Sequence, residues 1–286
     1  MAAEILRIGG GELELELLPA LGGRLHRLRV FGIDILRTPD DLEVHRSDPF
    51  YWGGYVMAPW CNRLLAEPTT VAGREVRLAA NFRDGSAIHG QVYLAPWSVE
   101  GEGRLVVRGG GDGWPWPYEV EQRITVASTD LDIELSVTNL ADGPMPAGIG
   151  LHPWFRRPIE VRIAASTVVA ASTDPAATIV AVSGDVDLRV RRPIPDDVDA
   201  AWPNPGDPAL EICWPDVDIG ATLRLRSTAG SAIVAASPAG LGFAAIEPQT
   251  HLPQGLGRML RGEPGALELL GPGATLRLVT AWQFRR

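Results

Sequence analysis

Two separated stretches of this sequence contain side chains that can exchange protons with a substrate. His152 follows a run that alternates like a β-strand, and Pro153, Trp154 and Phe155 come directly after it. Glu247 ends an apolar run and precedes a proline, a setting in which burial raises the pKa of a carboxyl group. An imidazole and a carboxyl group held together form a general acid–base pair that works near neutral pH. Each residue also has a structural interpretation: a histidine packed in the core, and an acid that caps a turn.

A second group of polar residues is suited to binding hydroxyl groups. Asn62 and Arg63 follow an aromatic-rich stretch and offer an amide and a forked guanidinium, although Arg63 could equally form a surface ion pair. His89 precedes a glycine, which permits close approach of a ligand or of another backbone segment. His251 lies four residues after Glu247 and is expected to be a solvated loop residue rather than a direct participant.

Composition and residue spacing argue against several other functional classes. The formal net charge of −9 disfavours a nucleic-acid or anionic-membrane surface. The two cysteines, Cys61 and Cys213, are far apart, and the five histidines lack metal-ligand spacing. Neither a phosphate-binding glycine loop nor a nucleophile elbow occurs. The sequence therefore predicts neither a metal nor another cofactor. Without a leader-like start at residues 1–7 or a long apolar run, we expect a cytoplasmic protein.

The hydrophobic pattern predicts an all-β fold, a large antiparallel β-sandwich formed by a single domain over residues 1–286. Residues 12–17 and 24–30 alternate with period two, as strands with one buried face do. The clearest hairpin joins residues 118–126 to residues 131–138. The 32 glycines and 24 prolines indicate many turns, and no window of ten or more residues has a helical apolar stripe.

Two proline-rich stretches are predicted to be loops. Residues 109–117 contain alternating tryptophans and prolines, and proline excludes a helix or a central position in a sheet. Residues 192–207 are acidic and proline-rich, which is typical of a long loop that carries function or is mobile. Pro195 precedes Asp196 and Asp197 in this stretch, and one of these two carboxylates is expected to face a ligand.

Four short motifs, taken in chain order, resemble the aldose 1-epimerase (galactose mutarotase) family. They are Asn62-Arg63-Leu64, Ile88-His89-Gly90, Gly150-Leu151-His152-Pro153-Trp154-Phe155 and Glu247-Pro248. The resemblance implies a galactose mutarotase-like β-supersandwich and a monosaccharide substrate. By the same resemblance, Glu247 is the general base on the anomeric hydroxyl and His152 is the general acid on the ring oxygen. Asn62, Arg63 and His89 would then bind sugar hydroxyls or the ring oxygen.

The resemblance also implies an aspartate for sugar hydroxyls between the histidine and the glutamate. Asp196 aligns with it and Asp197 is the alternative, because Val198-Asp199 stands where the family has an aromatic residue. Trp154 and Trp60 are the candidates for stacking on a sugar face, and Trp154 and Phe155 are expected to form the walls that exclude water from His152. We expect a monomer or a homodimer.

Three other functions remain open from the sequence. They are a non-catalytic carbohydrate-binding protein, a hexose-phosphate 1-epimerase, and a glycosidase that pairs Glu247 with Asp196 or Asp197. A phosphate-binding site would need a basic cluster, for which Arg63 and the pair Arg156-Arg157 are the candidates.

Overall fold

The computed structural model describes residues 4–64, 67–171, 174 and 176–286. Residues 1–3, which belong to the stretch considered for a leader, lie outside the described part. In chain order the strands of the first half are β1 (Leu6–Gly10), β2 (Leu13–Leu18), β3 (Arg24–Val30), β4 (Ile33–Asp34), β5 (Gly54–Met57), β6 (Arg63–Leu64), β7 (Thr69–Val71), β8 (Arg74–Val76), β9 (Ala87–Ile88), β10 (Ser98–Val99), β11 (Arg104–Gly111), β12 (Trp114–Ala127) and β13 (Asp130–Asn139).

The strands of the second half are β14 (Met145–Ala147), β15 (Gly150–Arg156), β16 (Glu160–Ile163), β17 (Thr167–Val168), β18 (Val180–Ala181), β19 (Arg192–Pro193), β20 (Val198–Pro203), β21 (Leu210–Trp214), β22 (Ile219–Ser227), β23 (Ala232–Ser237), β24 (Phe243–Gln249), β25 (Glu268–Leu270) and β26 (Thr275–Arg285). The described residues also form two short α-helices, α1 (Val44–Ser47) and α2 (Gly255–Arg261). Among the described residues, no helix has the length and apolar character needed to cross a membrane.

Two nine-stranded antiparallel sheets form the body of the fold. The first sheet has the strand order β1-β2-β3-β5-β15-β24-β23-β20, with β4 paired to β3. The second sheet has the order β10-β11-β12-β13-β26-β22-β21-β16-β19. The predicted hairpin is confirmed as β12 and β13, which pair Val126 with Leu131 next to the turn. The all-β antiparallel sandwich predicted from the alternation is thus confirmed, whereas the single-domain assignment stays a prediction.

Side-chain alternation along β15 decides which face of the first sheet is packed and which is free for chemistry. Leu151 and Phe155 are buried in the main core cluster, and the Phe155 ring lies 5.8 Å from that of Trp282 on the second sheet. Successive side chains of a strand point to opposite faces, so His152 and Trp154 project away from the second sheet. The candidate site therefore lies on the outer face of the first sheet.

Both proline-rich stretches contain strand structure that the sequence prediction missed. In residues 109–117, β11 extends to Gly111 and β12 begins at Trp114. The β12 prolines, Pro115 and Pro117, precede Tyr118, where the pairing with β13 begins. They therefore occupy no central position in the ladder, as predicted. The loop predicted at residues 192–207 is wrong for its central part, because β20 pairs with β23 at the edge of the first sheet.

Candidate active site

His152 and Glu247 face each other across the two central strands of the first sheet. The register of β15 and β24 is set by pairs on both sides of the site, Gly150 with Gln249 and Trp154 with Ala245. This register places His152 directly opposite Glu247, and the prolines that follow each residue, Pro153 and Pro248, lack the N–H needed to close the ladder there. The His152 Nε2 and Glu247 Oε1 atoms are 3.2 Å apart. Strand pairing alone thus brings the two sequence candidates together.

Burial shifts the pKa values of His152 and Glu247 in opposite directions. The exposed fraction is 5% for His152 and 2% for Glu247. Burial raises the pKa of Glu247 well above its ordinary value, the Asp199 charge raises it further, and Arg63 opposes the shift. Burial lowers the pKa of His152 to about 3. Burial opposes both the doubly protonated pair, which carries a positive charge, and the fully deprotonated pair, which carries a negative charge, and therefore favours one proton on the pair. The Glu247 Oε2 atom is buried without a hydrogen-bond partner in the described part of the chain.

His89 is held by the backbone of Asn62 in one defined tautomer. The backbone N–H of Asn62 donates to the ring Nδ1 of His89 over 3.2 Å. In return, the backbone N–H of His89 donates to the Asn62 carbonyl over 3.1 Å. An Nδ1 atom that accepts a hydrogen bond leaves the proton of the neutral ring on Nε2. The pKa of His89 lies well below its ordinary value, chiefly because of burial and also because of His152 and Arg63. His89 is therefore a neutral Nε2–H donor, and its ring packs edge-on against His152 at 4.8 Å between centroids.

Arg63 extends from the same segment and reaches the mouth of the site. Its Nε donates to Asp84 Oδ2 over 2.7 Å, and its guanidinium lies 5.2 Å from the centroid of the Phe82 ring. The Arg63 N–H donates to Asn62 Oδ1 over 2.7 Å, so that part of the Asn62 side chain stabilises the turn. These contacts orient the guanidinium before any ligand arrives.

Aromatic side chains and a small residue shape a cavity of about 130 Å³ around these groups. Trp154 forms one wall, and its Nε1–H donates to the Phe50 carbonyl over 2.6 Å, which fixes the orientation of the ring. Along the strand register, Trp154 lies opposite Ala245, Ala245 opposite Ala236, and Ala236 opposite Asp199. The two alanines leave space between the tryptophan and the aspartate. The cavity is smaller than the roughly 300–1,000 Å³ of drug-sized sites, which favours a small polar ligand.

Comparison with known proteins agrees with this geometry. The sequence matches the aldose 1-epimerase family model over residues 6–279. The chain belongs to the aldose 1-epimerase family. No curated protein matches the sequence.

Solved structures with the same fold share little sequence with this aldose 1-epimerase family member. A galactose mutarotase-like protein from Clostridium acetobutylicum has a TM-score of 0.84 and 18% identity, with 99% of this chain and 96% of that chain covered. A candidate aldose 1-epimerase from Escherichia coli K12 has a TM-score of 0.82 and 20% identity, with 99% of each chain covered. A galactose 1-epimerase from Lactobacillus acidophilus NCFM has a TM-score of 0.75 and 14% identity, with 100% and 99% covered. At these identities the likeness shows the galactose mutarotase-like fold.

The aspartate that lines the site of this family member is Asp199 rather than Asp196 or Asp197. Asp196 is exposed and accepts a hydrogen bond from Arg157 Nη1 over 2.7 Å. Asp197 Oδ1 accepts from the Ala239 N–H over 3.0 Å at an exposed turn. Asp199 lies on β20 and lines the cavity beside Glu247. The alternation Val198, Asp199, Ala200 was the available sequence signal, and the loop assignment obscured it.

Three further residues lie elsewhere than the sequence predicts. His251 is buried and not solvated: its Nε2 accepts from the Cys61 N–H over 2.9 Å, and its Nδ1 lies 2.7 Å from the Leu252 carbonyl. Trp60 belongs to the main core cluster, where its ring lies 5.0 Å from that of Trp114. Phe155 faces the second sheet and is no wall of the cavity. Trp154 is thus the stacking candidate that the structure places at the site.

His89, His152 and Glu247 also form the one group among the described residues whose ligand atoms are close enough for a metal ion, within 4.8 Å of one another. The tautomer of His89 is unsuited to metal binding, because Nδ1 accepts a hydrogen bond from the Asn62 N–H and Nε2 carries the proton. A metal ligand must present a lone pair. The donor set therefore fits a hydrogen-bonded sugar better than a cation.

A larger cleft of about 710 Å³ lies away from this site. Its lining includes Arg258 and Arg261, but both guanidinium groups interact with Glu263. Among the described residues that line it, no pair of groups is suited to proton transfer. The smaller cavity at His152 is therefore the candidate active site.

Proposed function

We propose that this protein is an aldose 1-epimerase that interconverts the α and β anomers of a monosaccharide by acid–base ring opening and closure. The observation that carries the proposal is the pair His152 and Glu247, 3.2 Å apart on the buried floor of a small polar cavity. A pair that holds one proton can accept a proton from one oxygen atom while it donates a proton to another.

The reaction follows from the two proton positions. Glu247 takes the proton of the anomeric hydroxyl while His152 gives its proton to the ring oxygen, so the C1–O5 bond breaks and an open-chain aldehyde forms. The C1–C2 bond then rotates, and both transfers reverse on the other face of the carbonyl. Ring opening moves the pair from the charged to the neutral arrangement, which is the form that burial favours.

The remaining groups of the cavity are suited to hold a pyranose in place. Arg63, the His89 Nε2–H and the Asn62 amide offer donors, and Asp199 offers an acceptor for hydroxyl groups. The Trp154 ring supplies an apolar face for the C–H side of the sugar. Every class of donor and acceptor that a monosaccharide requires is therefore present within one cavity.

The direct test is magnetisation-exchange NMR on freshly dissolved aldoses, which measures anomer interconversion against buffer alone. We expect faster exchange for at least one aldose, and a loss of about 10²–10⁴-fold in kcat for Glu247→Gln, because one general acid–base group contributes that much. The matched control is Asp196→Asn, an exposed carboxylate outside the cavity, which should leave kcat unchanged.

Calorimetry on the same variants separates catalysis from binding. Sugar binding retained in Glu247→Gln, together with lost exchange, supports the acid–base role. Binding by the wild-type protein with no acceleration of exchange across the aldose panel would contradict the enzyme and favour a carbohydrate-binding protein.

The structure does not favour the hexose-phosphate alternative. Arg156 interacts with Asp216, and Arg157 with Asp196, so this pair forms no free basic cluster. A cytoplasmic location and a monomeric or homodimeric state stay predictions of the sequence.

A further inference from the structure

Arg24 is a fully buried arginine at the end of a side-chain row that leads to the candidate active site. On β3 and β5, Leu25 pairs with Gly54, which places Arg24 opposite Tyr55. The Arg24 guanidinium carbon lies 4.6 Å from the centroid of the Tyr55 ring. Its Nη1 donates to the Trp52 carbonyl over 2.8 Å and its Nη2 to the Tyr93 carbonyl over 3.4 Å. Its Nε is buried without a partner in the described part of the chain.

The Tyr55 ring connects this cation to the proposed general acid. On β5 and β15, Tyr55 pairs with His152, and the two rings stack at 4.6 Å between centroids and 19° between planes. The Tyr55 hydroxyl donates to the Phe50 carbonyl over 3.3 Å, which fixes the ring in its plane. Arg24, Tyr55, His152 and Glu247 therefore form one continuous cross-strand row over four neighbouring strands.

We propose that Arg24 is a positioning residue for His152: it holds the Tyr55 ring against the imidazole, and its permanent charge limits His152 and Glu247 to one proton between them. This inference rests on the proposed function for its catalytic meaning, but the geometry of the row is independent of it. A buried arginine with carbonyl partners costs desolvation that an apolar residue of similar volume would avoid. The contact with Tyr55 gives that charge a role at the site.

The charged and titratable groups around the row act in defined directions. At His152, the Arg24 charge opposes a second proton, in addition to the larger effect of burial on the pKa. Around His152 the facing titratable groups are Tyr55, His89 and Glu247. Arg63 acts on His89 and Glu247, and Asp199 acts on Glu247. Around Arg24 the facing groups are Tyr55, Tyr93, Asp48 and His45. None of these supplies a second buried cation that would replace Arg24 if it were removed.

The primary test measures the protonated fraction of the His152 imidazole by ¹⁵N-NMR as the pH is lowered, only over the range in which circular dichroism shows each protein to be folded, with His152→Asn used to assign its signals. In Arg24→Gln, which keeps a donor for the Trp52 carbonyl but no charge, His152 should take up its proton about one pH unit higher than in the wild type, as expected for removal of a nearby unit charge. Arg24→Lys keeps the charge and should titrate close to the wild type. Arg258→Gln is the matched control, because Arg258 is also buried and bonded to carbonyl groups but lies in the other cleft.

The outcomes separate a positioning role from a structural one. An unchanged His152 titration in Arg24→Gln, or an equal shift in Arg258→Gln, overturns the proposal. If Arg24→Gln does not fold, Arg24→Met takes its place, because methionine removes the charge with an unbranched apolar side chain. A His152 titration in that variant equal to the wild-type titration overturns the proposal, and uptake of the proton at higher pH supports it. Since the readout is a titration, it stands even if no aldose is turned over. For an active enzyme, the acidic limb of kcat/KM should move up by the same amount in Arg24→Gln.

Discussion

At the scale of single residues, the candidate site depends on where each polar atom finds its partner. His89 is a donor because Asn62 occupies its other nitrogen, and Arg63 is aimed at the cavity because Asp84 and Phe82 hold its guanidinium. Asp199 adds a carboxylate whose charge raises the pKa of Glu247, so it has both a binding and an electrostatic effect. The identity of the aspartate is therefore a test of the proposed site.

We expect Asp199→Asn to raise KM for the preferred aldose by about 10–100-fold, since a hydrogen bond to a charged group contributes about 1.5–3 kcal/mol. Asp196→Asn and Asp197→Asn should leave KM within about twofold, because surface substitutions have small effects and both carboxylates lie outside the cavity. Steady-state kinetics on the three variants measures this. A larger effect of Asp196→Asn than of Asp199→Asn would restore the original alignment and contradict the structure.

At the scale of elements, a close backbone contact joins the segment before Asn62 to the segment after His89. Gly90 has a φ of 75°, and a Cβ atom there would lie 1.9 Å from the Ala58 carbonyl oxygen. The Gln91 N–H donates to that same carbonyl over 2.8 Å. Only glycine permits this close approach next to His89.

Gly90→Ala should therefore destabilise the protein by more than the roughly 1–2 kcal/mol of a left-handed non-glycine residue, and it should also lower kcat/KM. Gly85→Ala is the control on a neighbouring turn, with a φ of 83° and no atom within 4 Å of the added Cβ. Urea unfolding measures the loss of unfolding free energy in each variant, and steady-state kinetics shows whether the position of His89 is disturbed. Equal costs would show that the backbone angle, and not the contact with Ala58, requires the glycine.

At the scale of the whole molecule, the sandwich buries all five of its histidines. Burial lowers the pKa of His45 and His152 to about 3 and that of His251 to about 4. It also lowers the pKa of His26 and His89. The unfolded chain therefore binds more protons than the folded one below about pH 6.5, and stability must rise with pH in that range. Glu247 has the opposite effect on stability, because its raised pKa lets the folded chain keep a proton that the unfolded chain loses.

We expect the free energy of unfolding to fall as the pH drops below about 6.5, by up to about 1.4 kcal/mol per pH unit for each buried histidine, less the opposite contribution of Glu247. Since a domain is stable by about 5–15 kcal/mol, such a slope would unfold it within a few pH units. Urea unfolding midpoints between about pH 5 and 8 test this. His45→Gln should reduce the slope of the unfolding free energy against pH by up to about 1.4 kcal/mol per pH unit, which corresponds to one proton. A midpoint that does not change between about pH 7 and 5 would contradict it.

The sequence by itself determined the strand character of the chain and the residues able to carry chemistry. Period-two alternation shows locally which side chains face the core, so β2, β3 and β13 were predicted close to their observed bounds. His152 and Glu247 were recognisable because residue type and neighbouring proline are local properties.

Only the tertiary structure decided which residues meet. The register of β15 and β24 sets His152 against Glu247, and the pairing of β20 with β23 brings Asp199 rather than Asp196 to the cavity. His251 supports Cys61 across 190 positions of the chain. Strand pairing joins residues that are distant in sequence, and a shift of one residue would turn every side chain to the opposite face. No local pattern contains that information, and for this reason Arg24 and Asp199 became visible only in the folded sheet.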